Sequence, residues 1–220
     1  MSTVKENLLS IKREIAPYTP NIIAVTKYFD ESKMIEAYEA GLRDFGESRI
    51  PEAIEKIKRL PDEIRQKSKF HMIGHLQTNK VRKVVGFFDY IHSVDSQKLA
   101  EEISKEAKAK GITQKIFIQV NNANEEQKFG YSKESIYRDF EKILHLDNLE
   151  IKGLMNIAPF GLSSNKLTNL FTEISTIQKE LKDKYNCNNM NELSMGMSCD
   201  YKEAAAAGAT MLRIGRKLFS

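Results

Sequence analysis

The stretch Ile22-Ile23-Ala24-Val25-Thr26-Lys27 is a short apolar run that closes on its one charged residue. Its β-branched, uninterrupted character predicts a strand buried on both faces, as in a parallel sheet covered by helices. A lysine at the carboxyl end of such a strand sits where α/β folds place their chemistry. Its amine can lose its proton under desolvation or beside another cation, and a neutral amine attacks carbonyls to form imines. A strand can equally end on a lysine that reaches water, so the segment is weighed with what surrounds it.

Seven further apolar segments follow, at residues 44–46, 70–73, 90–94, 115–120, 151–156, 192–197 and 211–214. Between them the periodicity is helical, at 30–40, 50–59, 79–85, 96–110, 133–145, 165–184 and 200–207, and one more helix, 3–15, precedes the first strand. Asp30 and Ser96 suit N-caps, and Pro51 suits a first helical turn. Gly41, Gly111 and Gly208 follow helical runs, where a left-handed residue is wanted. This alternation predicts an α/β fold, a single (β/α)8 TIM barrel over residues 1–220 with an extra N-terminal helix. The alternative, a doubly wound open sheet, more often carries a glycine-rich first turn, whereas here the strand runs into Lys27-Tyr28-Phe29.

Composition narrows the function classes. With 41% apolar and 29% charged residues the chain is an ordinary globular protein. No run approaches the roughly 20 apolar residues of a membrane span. The first residues lack a basic segment followed by an apolar one, so no signal peptide is expected. Cys187 and Cys199 are too few for a disulfide framework and have no zinc spacing, which makes a cytoplasmic location the expectation. Net charge is +4, and basic clusters such as 56–59 and 80–83 are interspersed with acids, as on solvated helix faces. Nucleic-acid binding calls for a more one-sided excess.

A barrel gathers the carboxyl ends of all its strands on one face, and phosphate often binds after the last two. There the chain reads Ser194-Met195-Gly196-Met197-Ser198-Cys199-Asp200 and Arg213-Ile214-Gly215-Arg216. Ser198 supplies a hydroxyl beside the amides of a helix start, and Gly215 with Arg216 offers backbone amides at close approach. An imine-forming Lys27 and a phosphate corner together point to pyridoxal 5′-phosphate. Arg213 shares a strand face with Gly215, within reach of the pyridine nitrogen, and as a permanent donor it would keep that nitrogen unprotonated. His71 alternates with Ile73 and reads as structural, while His92 and His145 show no partner.

The chain resembles the YggS/PROSC family, the pyridoxal phosphate homeostasis proteins, which share the barrel of alanine racemase's amino-terminal domain. The motifs that carry the resemblance are Ala24-Val25-Thr26-Lys27, Asp44-Phe45-Gly46-Glu47, Phe70 through Lys80, Gly153-Leu154-Met155, Leu193 through Ser198, and Arg213-Ile214-Gly215. The resemblance implies Lys27 as the Schiff-base lysine, Ser198 with the Gly215 and Arg216 amides as phosphate cradle, and Arg213 as partner of the ring nitrogen. Ser48, His75, Met155 and Met197 are expected around the cofactor. Ser48 followed by Arg49 stands where the family usually has asparagine, and Arg216-Lys217-Leu218-Phe219-Ser220 replaces a more usual ending of small residues and Phe-Gly.

The family's role implies a monomeric protein that buffers pyridoxal 5′-phosphate or delivers it to apo enzymes, with no assigned catalytic residue. A racemase using the same cofactor is the alternative. Alanine racemase draws a second base through a carboxyl-terminal β-domain, and the eighth expected strand here lies close to Ser220. A barrel enzyme acting on a phosphorylated sugar through a lysine imine is a third reading.

Overall fold

Parallel pairing passes from each strand to the next in chain order until the eighth returns to the first, closing a barrel. This computed structural model describes residues 3–123 and 129–220. The strands are β1 (Asn21–Val25), β2 (Asp44–Glu47), β3 (Lys69–Met72), β4 (Tyr90–Val94), β5 (Gln114–Val120), β6 (Leu149–Asn156), β7 (Glu192–Ser194) and β8 (Met211–Ile214). The helices are α1 (Thr3–Glu14), α2 (Glu31–Glu39), α3 (Ile50–Arg59), α4 (Asp62–Lys67), α5 (Val81–Val84), α6 (Gln97–Ala109), α7 (Lys133–Leu144), α8 (Ser164–Tyr185), α9 (Tyr201–Ala206) and α10 (Arg216–Phe219). The expected barrel with its extra amino-terminal helix is the observed one.

Local chemistry sets many of the boundaries. The Asp30 carboxylate accepts from the Ser32 N–H at 3.1 Å, and the Ser96 hydroxyl accepts from the Leu99 N–H at 3.3 Å, so both act as the N-caps their sequence suggests. Other boundaries differ from expectation. β1 stops at Val25, and Thr26 makes one more ladder bond, to Gly46 O at 3.1 Å, before the chain turns with Phe29 N–H bonded to Thr26 O. β7 has three residues rather than six, because Gly196 takes φ +86° and breaks the extended run. The helix expected over 79–85 divides into a 3-10 turn, Thr78–Lys80, and α5. Neither α4 nor α10 was expected, each being shorter than two helical turns.

Apolar residues pack in two places. The larger core lies between the sheet and its helices. The smaller fills the barrel with Ile23, Tyr90, Phe117, Met155 and Met211. β8 is followed by α10, and α1 docks beside it. α1 buries Val4, Leu8 and Ile11, while the Asn7 amide donates to Leu218 O at 3.1 Å and to Ser220 O at 2.9 Å. Among the described residues no helix is long and apolar enough to cross a membrane.

Candidate functional site

A cavity of about 780 Å³ opens at the carboxyl ends of the strands, lined among others by Lys27, Ser48, Met197, Ser198, Arg213, Gly215 and Arg216. The structure thus brings seven of the expected residues together. Two others lie elsewhere. Met155 is fully buried in the small core inside the barrel and does not line the cavity. His75 lines a neighbouring cavity of about 160 Å³, where its Nδ1 is 3.1 Å from the Asp95 carboxylate and its ring stacks on Phe129.

Lys27 sits half-buried in the turn after β1, and that turn is pinned from beneath. The buried Thr26 hydroxyl donates to Glu47 Oε1 at 2.6 Å. Lys56, from α3, places its Nζ 2.5 Å from the same oxygen and donates to Thr26 O at 2.7 Å and Phe29 O at 2.9 Å. A paired, buried ammonium therefore holds two carbonyls of the turn that carries Lys27. The sequence reading placed Lys56 on a solvated basic face, yet it is only 5% exposed. The missed signal is its spacing, three residues after buried Ala53 and next to buried Ile57. Above the turn, the Lys27 ammonium lies 5.1 Å and the Arg49 guanidinium carbon 5.5 Å from the Tyr28 ring centre.

At the other side of the cavity, Ser198 Oγ accepts from the Gly215 and Lys217 N–H groups, each at 3.3 Å. The serine occupies a turn, and α9 begins only at Tyr201, with Asp200 as the residue before it. The Asp200 carboxylate accepts from Met197 N–H; burial pushes its pKa up, against the pull of that bond and of Arg213. Gly215 does not need a positive φ, and a Cβ there would stand 3.3 Å from Val25 O. Gly196 is the constrained glycine of this corner: besides its φ of +86°, a Cβ would fall 2.5 Å from the Ala204 Cβ.

Arg213 is buried at 4% exposure. Its Nη1 donates to Ser194 O at 2.6 Å and Ser194 Oγ at 2.8 Å, and its Nη2 donates to Asn156 O at 2.7 Å. Burial pushes its pKa down to about 10, which leaves it charged at neutral pH, with Asp200 acting in the opposite direction. Behind it, hydrogen bonds continue through the barrel from Ser194 to His92, His71 and Asp44. His92, which had no partner in the sequence reading, is central to that network.

Comparison with known proteins agrees with this architecture. Residues 1–220 match the family model described as alanine racemase, N-terminal domain. A solved alanine racemase from Clostridium difficile shares the fold, with a TM-score of 0.76 at 15% identity over 98% of this chain and 56% of that one. The class is therefore the alanine-racemase-type barrel. A pyridoxal phosphate homeostasis protein of Synechocystis is 41% identical over 92% of both chains, and the human one is 35% identical over 94% of this chain and 78% of its own. The structure of PipY from Synechococcus elongatus with PLP bound superposes with a TM-score of 0.88 at 37% identity, covering 99% of this chain and all of that one. The chain belongs to the family of pyridoxal phosphate homeostasis proteins.

Proposed function

We propose that this chain binds pyridoxal 5′-phosphate at the mouth of its barrel and works in its homeostasis, holding the cofactor on Lys27 and releasing it to apo enzymes. The observation that carries the proposal is the meeting, in one cavity, of an amine, an amide-and-hydroxyl corner and a buried guanidinium. When bound, the cofactor supplies an aldehyde, a phosphate anion and an electron-poor pyridine ring.

The residues present fit that group. Lys27 would hold the aldehyde carbon, on a turn fixed by Glu47 and Lys56. Ser198 keeps its hydroxyl proton to donate to a phosphate, and the Gly215 and Lys217 amides that now donate to its Oγ meet at the same corner. Arg213 has five N–H donors, of which its bonds to Ser194 and Asn156 use three. The others are left for the ring nitrogen, which a charged guanidinium would keep unprotonated. An unprotonated ring withdraws electrons weakly, which suits storage and handover better than amino-acid chemistry. Support for the homeostasis role comes from the names of the relatives and from PLP in PipY. We read the protein as cytoplasmic, since both cysteines are free, which suits a reducing compartment, and, on the family resemblance alone, as a monomer.

The test is a transfer assay. Loaded protein is mixed with an apo aminotransferase, and recovery of that enzyme's activity is followed beside chiral analysis of L- and D-amino acids incubated with the loaded protein alone. Reactivation without racemisation is expected. Racemisation at enzymatic rates would overturn the carrier reading in favour of a catalyst.

A further inference from the structure

The polar residues inside this barrel form one hydrogen-bonded chain, and its proton positions follow from the chemistry of its ends. Arginine can only donate, so Ser194 Oγ accepts from Arg213 Nη1 at 2.8 Å. With the imidazoles each singly protonated, the serine proton is directed to His92 Nδ1, 2.8 Å away. With Nδ1 accepting, a neutral His92 carries its proton on Nε2, 2.9 Å from His71 Nδ1. His71 in turn carries its proton on Nε2, 2.9 Å from Asp44 Oδ1, an ionised carboxylate being an acceptor only. This arrangement, with both imidazoles singly protonated, satisfies every link, all donors pointing from the guanidinium toward the carboxylate. Two imidazoles and a hydroxyl separate the charges.

Each member is held in place. His71 and His92 are completely buried, as is Ser194. The His71 ring lies parallel to Tyr90 with centroids 4.6 Å apart, and the His92 ring stacks on Phe117 at 4.2 Å. The chain starts at the first residue of β2 and ends at the last residues of β7 and β6, so it climbs from the floor of the barrel to the cavity. Burial holds His92 well below the usual imidazole range, with His71 and Arg213 acting in the same direction, in accord with its neutral form. At Asp44 burial acts upward, but hydrogen bonds from His71 and Asn21 prevail and hold the carboxyl below its ordinary value.

We infer that His92 and His71, anchored by Asp44, are positioning residues for Arg213, fixing through Ser194 the guanidinium that meets the cofactor's ring nitrogen. The inference rests on the reading of Arg213 given above. A guanidinium is a planar fork, and two of its bonds end on Ser194. An imidazole that accepts the Ser194 proton leaves the serine lone pairs for Arg213. Without that acceptor the hydroxyl rotates and competes for its own partners, and Nη1 keeps only its bond to Ser194 O.

The test uses the whole protein and two ligands, pyridoxal 5′-phosphate and its analogue with carbon in place of the ring nitrogen. The wild type is expected to prefer the natural ligand about tenfold, the scale of one hydrogen bond to a charged group. His92→Leu is expected to lower the preference below about twofold, while inorganic phosphate binds as before. His92→Gln, which keeps one acceptor and one donor, is expected to retain most of the preference. If the wild type itself shows no preference, the Arg213 reading fails and this inference with it. A full preference in His92→Leu would overturn the positioning role and leave the Arg213 reading standing. Should His92→Leu not fold, Ser194→Ala breaks the same link and is judged by the same ratio. Nitrogen-15 NMR of the ligand-free protein gives an independent reading. Both imidazoles should be neutral with the proton on Nε2, and a proton on Nδ1 of His92 would overturn the direction of the chain.

Discussion

At the scale of single residues, two side chains of the proposed site would act on different parts of the same ligand and can be separated. Ser198 already accepts two amide bonds at the phosphate corner, so its loss removes a hydroxyl and loosens the amides together. Ser198→Ala is expected to weaken pyridoxal 5′-phosphate binding by about 1–3 kcal/mol and to leave pyridoxal, which lacks the phosphate, almost unaffected in calorimetry. Equal losses for both would refute the phosphate assignment. In the proposed site Arg213 would act on ring electronics instead. Arg213→Glu offers an acceptor in place of a donor, so the ring nitrogen of labelled cofactor should shift in NMR from unprotonated to protonated and binding should weaken. A protonated nitrogen in the unmodified protein would contradict the role given to Arg213.

At the scale of elements, the turn carrying Lys27 depends on a buried ion pair between β2 and α3. Lys56→Met leaves Glu47 buried with its hydroxyl partner but without its charge partner. Breaking such a pair costs about 3–5 kcal/mol, measurable by denaturant unfolding, and Glu47→Leu combined with Lys56→Met should recover part of the loss. An unchanged unfolding midpoint would show that the pair contributes nothing to the turn. The strand–helix alternation was legible because β1, β4, β5 and β8 are short, apolar-rich runs between longer stretches of helical periodicity. The break in β7 was not, since the φ of +86° at Gly196, where Ala204 packs close, is set by tertiary structure rather than by a local sequence signal. Lys27, Ser198 and Arg213 were readable because a barrel sends strand ends to one place. Lys56 and the His71–His92 chain were hidden for the opposite reason: their partners lie on distant segments, 30 residues away for Thr26 and 102 for Ser194.

At the scale of the whole molecule, the first helix closes what the last begins. Glu14 of α1 bonds Lys202 Nζ at 2.7 Å, the Tyr201 hydroxyl at 2.6 Å and Lys217 Nζ at 3.1 Å, tying α1 to α9 and α10. Lys202 foremost, then Tyr201, hold its carboxyl far below the ordinary value of 4.5, against a smaller upward push from burial. A lowered folded pKa means the stabilisation is full above that ordinary value and is lost as pH falls toward the folded one. The melting-temperature gap between wild type and Glu14→Gln should therefore be widest near neutral pH and narrow on acidification below the ordinary carboxylate range. A gap independent of pH would contradict this role for α1. Lys217 of α10 both bonds Glu14 and donates its N–H to Ser198, so the closure by α1 reaches a residue that lines the cavity. The central claim, that this cavity holds the cofactor on Lys27, is tested most directly by saturating the protein with pyridoxal 5′-phosphate, reducing with borohydride and mapping the modified peptide by mass spectrometry. The account predicts a pyridoxyl group on Lys27 and none in Lys27→Ala. Modification of another lysine at the same level, or none at all, would contradict it.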